Sequence, residues 1–116
     1  MGQRMLRVSK LVKREISELL HTRYRSESVY ITISDVEVSS DLRNARVYFS
    51  VVGDSERAAS AGRFLKAESR ELRRMLGKRI VLKYLPNLSF VYDKALERGV
   101  HLNALIDEFG FDEESV

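Results

Sequence analysis

The sequence contains no cysteine, no tryptophan, a single proline and two histidines, and no apolar run long enough to cross a bilayer. Without cysteine there is no disulfide framework, no thiol nucleophile and no zinc site built on thiolates. That composition suits a reducing compartment, so the cytoplasm is the expected location. His21 and His101 stand far apart and in no zinc or catalytic-triad spacing, which makes them surface or helix-end residues. The opening residues lack the apolar core of a secretory leader. Leu6 stands where a myristoylation signal following Gly2 requires Ser or Thr. Gly77-Lys78-Arg79 lacks both the upstream glycine and the following Ser or Thr of a phosphate-binding loop, so no nucleotide site is expected.

What is present suits one compact domain. The chain has 116 residues, 44% of them hydrophobic and 32% charged, enough apolar side chain for a core and enough charge for a wetted surface. The formal charge of +3 conceals a segregation. Residues 1–25 carry a net +5 and residues 63–83 a net +6, whereas 26–62 carry −3 and 93–116 carry −5. Two basic segments therefore alternate with two acidic ones.

Val8, Leu11, Val12, Ile16, Leu19 and Leu20 recur at three- and four-residue steps, which predicts a first helix. At about 100° per residue its apolar arc is roughly 120° wide, with Arg7, Lys10 and Arg14 on the far side. Val29, Ile31 and Ile33 alternate with polar residues, and the alternation resumes out of phase at Val36 and Val38, which predicts a strand with a bulge. A polar turn over residues 39–44 and renewed alternation at Ala45, Val47, Phe49 and Val51 complete a hairpin.

Asp54 or Ser55 can cap a long helix running to Gly77, itself suited to a left-handed C-terminal cap. Arg63, Lys66, Arg70, Arg73 and Arg74 share an arc of roughly 100°. Ala58, Ala61, Phe64, Leu65, Leu72, Met75 and Leu76 form the opposite, apolar face, and Glu68 falls in the middle of it. A buried carboxylate without a partner is costly. The helix is therefore expected either to bend at Glu68-Ser69-Arg70 or to give Glu68 a cation. A third extended run, Ile80 to Tyr92, keeps one parity but is interrupted by Pro86, which favours an edge or irregular position. Val100, Leu102, Leu105, Ile106 and Phe109 predict a final short helix before an acidic tail. The order α-β-β-α-β-α predicts an α+β domain, a small mixed three-stranded sheet covered on one face by helices.

Rows of Lys and Arg at helical spacing can meet a phosphate backbone and release its counterions, and guanidinium groups pair phosphate oxygens through two donors. The same rows also suit a merely solvated helix face. Tyr24, Tyr30, Tyr48 and Tyr84 could stack on bases, but aromatics at strand spacing are more often core or sheet surface, and no role is assigned to them. Asp35, Glu37 and Asp41 could be imagined holding magnesium in a small hydrolase; alternating carboxylates on a strand are usually its solvated side. A third reading is a protein-binding adaptor using the acidic surface and C-terminal segment.

Over residues 7–106 the chain resembles the bacterial ribosome-binding factor A family. The similar stretches are Arg7-Val8 with Glu15-Ile16-Ser17, the long run Thr32-Ile33-Ser34-Asp35-Val36-Glu37-Val38-Ser39-Ser40-Asp41-Leu42-Arg43-Asn44-Ala45-Arg46-Val47-Tyr48, then Leu76-Gly77-Lys78-Arg79, Pro86-Asn87-Leu88-Ser89-Phe90, Asp93 and Gly99. The resemblance implies a single type II KH-like domain over residues 1–110 with an acidic tail at 111–116. It implies a protein without catalysis or cofactor that binds the immature 30S subunit and 16S rRNA and assists late maturation. An assembly GTPase would assist release, no membrane is involved, and a monomer is expected. That family has an Ala-x-Gly kink between two helices; alignment on Leu76-Gly77-Lys78 puts Glu68-Ser69-Arg70 there, and Ser40 stands at a common Pro. The residues expected to contact RNA are Arg7, Lys10, Arg14, Arg63, Lys66, Arg70, Arg73, Arg74, Lys78, Arg79 and Lys83.

Overall fold

The computed structural model describes residues 2–93, so the expected final helix and acidic tail lie outside the described residues. Helix α1 spans Gly2–Arg23 and buries Val8, Val12, Ile16, Leu19 and Leu20, the stripe set by their spacing. Tyr24 ends it with a non-helical backbone, and a single helical turn, α2 (Arg25–Ser28), follows. The buried Ser28 hydroxyl donates at 2.8 Å to the Leu20 carbonyl, which also accepts the Tyr24 amide at 3.1 Å, so the turn is tied to the end of α1. This turn departs from the sequence expectation. Val29 closes α2 in helical geometry and is 75% exposed, so the strand starts only at Ile31.

Strand β1 (Ile31–Val38) and strand β2 (Asn44–Val51) form the expected antiparallel hairpin, with the expected bulge falling between Ile33 and Asp35. The bulge returns Val36 and Val38 to the face of Ile31 and Ile33; without it both would point to water. Asp41 organises the turn by accepting from the Ser39 hydroxyl at 2.7 Å and the Arg43 amide at 3.1 Å. Those bonds, the Ser39 one foremost, hold its carboxyl below the usual range.

Helix α3 (Ser55–Arg79) starts where Asp54 caps it, its carboxylate accepting from the Arg57 amide at 2.9 Å. It runs unbroken through Glu68-Ser69-Arg70 and two residues past Gly77, ending at the extended Ile80. Gly77 is thus not a cap. It lies where a Cβ would come within 2.9 Å of the Leu85 side chain, so its bareness admits the following loop. Among the described residues Glu68 finds neither a bend nor a cation: it accepts a hydrogen bond from the Tyr24 hydroxyl at 2.9 Å, beside the edge-on contact of Tyr24 with Phe64.

Strand β3 is confined to Asn87–Tyr92 and pairs parallel with β2, giving the order β1-β2-β3. The extended run expected from Ile80 is corrected: residues 80–86 are a loop, in which Val81 is fully exposed and Pro86 fully buried. The parity of Ile80, Leu82 and Tyr84 had no ladder behind it.

Helices α1 and α3 pack side by side on one sheet face, α1 over β1 and α3 over β3. The His21 imidazole Nε2 donates to the Ile31 carbonyl at 3.0 Å, while the Val38 amide donates to the Ser9 hydroxyl at 3.3 Å, so α1 runs antiparallel to β1. Helix α3 descends from the end of β2 and is therefore antiparallel to α1. Between the helices and the sheet lie Ile16, Leu20, Ile31, Val47, Leu65, Leu72 and Leu76, all essentially without exposure. Each stabilises the fold by roughly 1.5–3 kcal/mol through burial. The opposite sheet face is polar, with Thr32, Asp35, Glu37, Arg46, Ser50 and Ser89 around Tyr48. Tyr48 is only 7% exposed and donates to Glu37 at 3.1 Å, and burial pushes its phenol up to about 12.

Candidate nucleic-acid interface

A helix packed through one stripe must present the opposite stripe to solvent. In α1 that stripe carries Arg7, Lys10 and Arg14; in α3 it carries Arg63, Arg70 and Arg74, with Lys66 and Lys78 on its flanks, each of them exposed or half-buried. Because both helices lie on the same sheet face, both basic stripes look away from the sheet, toward the same side of the molecule. Contacts of Tyr24 with Glu68 and of Arg79 with Glu15 and Glu18 set the register of the two antiparallel helices, so Arg63, Lys66 and Arg70 lie beside the C-terminal end of α1 and Arg7, Lys10 and Arg14 follow further along the same side.

The expected cations are not equivalent. Arg7, Lys10, Arg63, Lys66, Arg70 and Lys78 carry no ion pair among the described residues. Arg14 meets Glu15 at 3.2 Å, and Arg74 meets Glu71 with its Nε 2.9 Å from the carboxylate. Both pairs are on the surface, where such contacts contribute little, so these two arginines can exchange partners.

Arg79 is a strut between the helices, donating to Glu15 at 2.9 Å and Glu18 at 2.7 Å. Its guanidinium is the main reason that the Glu15 carboxyl titrates below the usual range, and Glu18 leads in raising Arg79 itself. Arg73 turns away from the stripe altogether. Its Nε donates to the Pro86 carbonyl at 3.1 Å and a terminal nitrogen donates to the Leu85 carbonyl at 2.8 Å, fixing the base of the 80–86 loop. Lys83 lies in that loop, its Nζ 5.6 Å from the Tyr84 ring centroid.

Other exposed cations were not singled out from the sequence. Arg23 and Arg25 are exposed where α1 ends. Arg43, from the hairpin turn, stacks over Tyr84 at 4.1 Å, and Arg57 over Tyr30 at 4.3 Å. No spacing rule connects residue 43 with residue 84, so only the fold could reveal that pair.

The carboxylates considered for metal chemistry have other duties. Asp35 accepts from the Val36 amide at 2.9 Å, Glu37 accepts from Tyr48, and Asp41 holds the turn. Among the described residues no group of three His, Cys, Asp or Glu side chains could hold a metal ion. No described helix is long and apolar enough to cross a membrane.

Comparisons with known proteins agree with this architecture. The family model for ribosome-binding factor A matches residues 4–106. The chain is 45% identical to ribosome-binding factor A of Opitutus terrae over 108 residues, covering 93% of this chain and 88% of that protein. The crystal structure of ribosome-binding factor A from Thermus thermophilus superposes with a TM-score of 0.67 at 24% identity, over 76% of this chain and 94% of that one, which shows a shared KH-like fold. A homology model of the Thermus thermophilus factor, fitted into the cryo-EM map of its complex with the 30S subunit, gives a TM-score of 0.60 at 26% identity, over 72% of this chain and 89% of that one. With a family model spanning most of its length and close relatives matched nearly end to end, the chain belongs to the ribosome-binding factor A family.

Proposed function

We propose that this protein is a non-enzymatic assembly factor that binds the immature 30S subunit through 16S rRNA and assists its late maturation. The observation that carries the reading is the exposure of two basic helix stripes on the side of the molecule away from the sheet, in a family whose Thermus thermophilus member has been fitted into a 30S complex. Arg7, Lys10, Arg63, Lys66, Arg70 and Lys78 would meet phosphates directly, and Arg14 and Arg74 would join them by leaving their surface carboxylates. Arg73 and Arg79 support the surface from behind, one by fixing the 80–86 loop and the other by bracing the helices. Lys83 extends the surface at the hairpin end.

Binding acts on maturation by differential affinity: a factor that holds one rRNA conformation more tightly shifts the population toward it by that difference and no more. The protein works as a monomer, and its release follows from subunit maturation with the help of an assembly GTPase, the cycle that the family resemblance implies. Sedimentation of cell extract tests the reading. The protein should travel with free small subunits and their precursors; absence from every small-subunit particle at low ionic strength, or enrichment on translating ribosomes, would overturn it.

A further inference from the structure

The hairpin end of the sheet carries a second kind of surface, distinct from the basic helix stripes. The loop 80–86 is tied down on three sides: Arg73 holds the carbonyls of Leu85 and Pro86, the Asn87 amide donates to the Arg43 carbonyl at 2.8 Å, and Leu85 lies against bare Gly77. A loop so anchored would be expected to tuck its apolar residues inward, and it does so with Leu85 and Pro86. Yet Val81 is 99% exposed and Tyr84 is 37% exposed, flanked by the Arg43 guanidinium at 4.1 Å and the Lys83 ammonium at 5.6 Å.

The hairpin turn itself places the partner arginine: the Arg43 amide donates to Asp41 at 3.1 Å, and the preceding Leu42, left-handed at φ +63°, donates its amide to the Ser39 carbonyl at 2.9 Å and packs against the core.

We infer that Tyr84 and Arg43 form a stacking site for an unpaired nucleotide, with Lys83 on its phosphate. A phenol ring backed by a guanidinium plane offers a π surface to any base, and an adjacent ammonium answers the backbone charge; sequence-tolerant recognition of single strands needs this pairing. Because Arg73 and the Arg43 carbonyl fix the loop beforehand, little ordering is needed on binding. The inference rests on the RNA-binding reading above and deepens it, by requiring an unstacked base beside the duplex or backbone that the helices grip.

The absence of tryptophan makes the test direct. A Tyr84→Trp variant carries a single indole, at the proposed site. Titrated with a short uridine-only RNA at low salt, its fluorescence should be quenched, whereas a blunt RNA duplex of equal charge should bind with little quenching. Tyr84→Ala should weaken uridine-RNA binding about tenfold with the salt slope unchanged, within the range that base–aromatic stacking supplies. Tyr84→Phe should restore the affinity, and thermal melting of all three variants verifies folding. Salt-sensitive binding of both RNAs with no quenching and no loss in Tyr84→Ala overturns the stacking site and leaves the RNA reading standing. Failure of the unmodified protein to bind either RNA at low salt overturns both.

Discussion

The most exacting consequence of the fold concerns one hydrogen bond. Glu68 lies in the apolar stripe of α3 because the helix continues straight through it, and the Tyr24 hydroxyl at 2.9 Å is the group that makes this tolerable. Tyr24→Phe keeps the ring and its edge contact with Phe64 at 5.3 Å but leaves a half-buried carboxylate without its donor. A hydrogen bond to a charged acceptor contributes about 1.5–3 kcal/mol when buried. The partial exposure here brings the expected loss to about 1–2 kcal/mol, which for a domain of this size lowers Tm by roughly 4–12 °C. Thermal melting at neutral pH followed by circular dichroism reads it. The second half of the prediction is reversal: Tyr24→Phe combined with Glu68→Leu removes the carboxylate and should return to within about 0.5 kcal/mol of the unmodified protein, since an apolar side chain suits that stripe. A Tyr24→Phe protein that melts with the parent, or a double variant less stable than the single one, would refute the reasoning.

Burial, followed by the Glu68 hydrogen bond, pushes Tyr24 up to about 12, and burial does the same to Tyr48, against an ordinary value of 10. A group whose pKa is raised by folding lends stability that is complete below its unfolded value, so this contribution should be whole below pH 10 and disappear between pH 10 and 12. Denaturant titrations across that window should show the fall, and a smaller one in Tyr24→Phe; a flat profile would contradict the burial assigned to both phenols. Arg73→Met, which removes the donors to the Leu85 and Pro86 carbonyls, should cost about 1–3 kcal/mol in urea unfolding. It should weaken RNA binding less than Arg70→Met does, and the reverse ranking would put Arg73 on the RNA surface after all.

The elements that local pattern alone determines were legible in the sequence: the α1 stripe, the Asp54 cap, the hairpin and its bulge all follow from residue spacing and turn chemistry. The misreadings lie where tertiary contact overrides pattern. Gly77 has the composition of a helix cap but serves the approach of Leu85, and the parity of Ile80, Leu82 and Tyr84 imitates a strand across a loop that Pro86 pins into the core. Val29 continues the apolar alternation of β1 but ends a helical turn in water. At the candidate site, helical phase identified the outward cations of both helices. It could not tell which of them are engaged, because the Arg79 bonds reach carboxylates more than sixty residues away and Arg73 bonds to backbone carbonyls that no side-chain pattern encodes. The same limit hid Arg43 beside Tyr84.

The central claim is that cations from α1 and α3 together grip ribosomal RNA, and its most direct test is the salt dependence of binding to purified 30S subunits. Each phosphate contact contributes about 0.7–0.9 to the slope of log K against log salt. Replacing Arg63, Lys66 and Arg70 together by Gln should therefore make the slope shallower by about two to three while leaving the melting temperature unchanged. A slope identical to that of the unmodified protein would contradict the account.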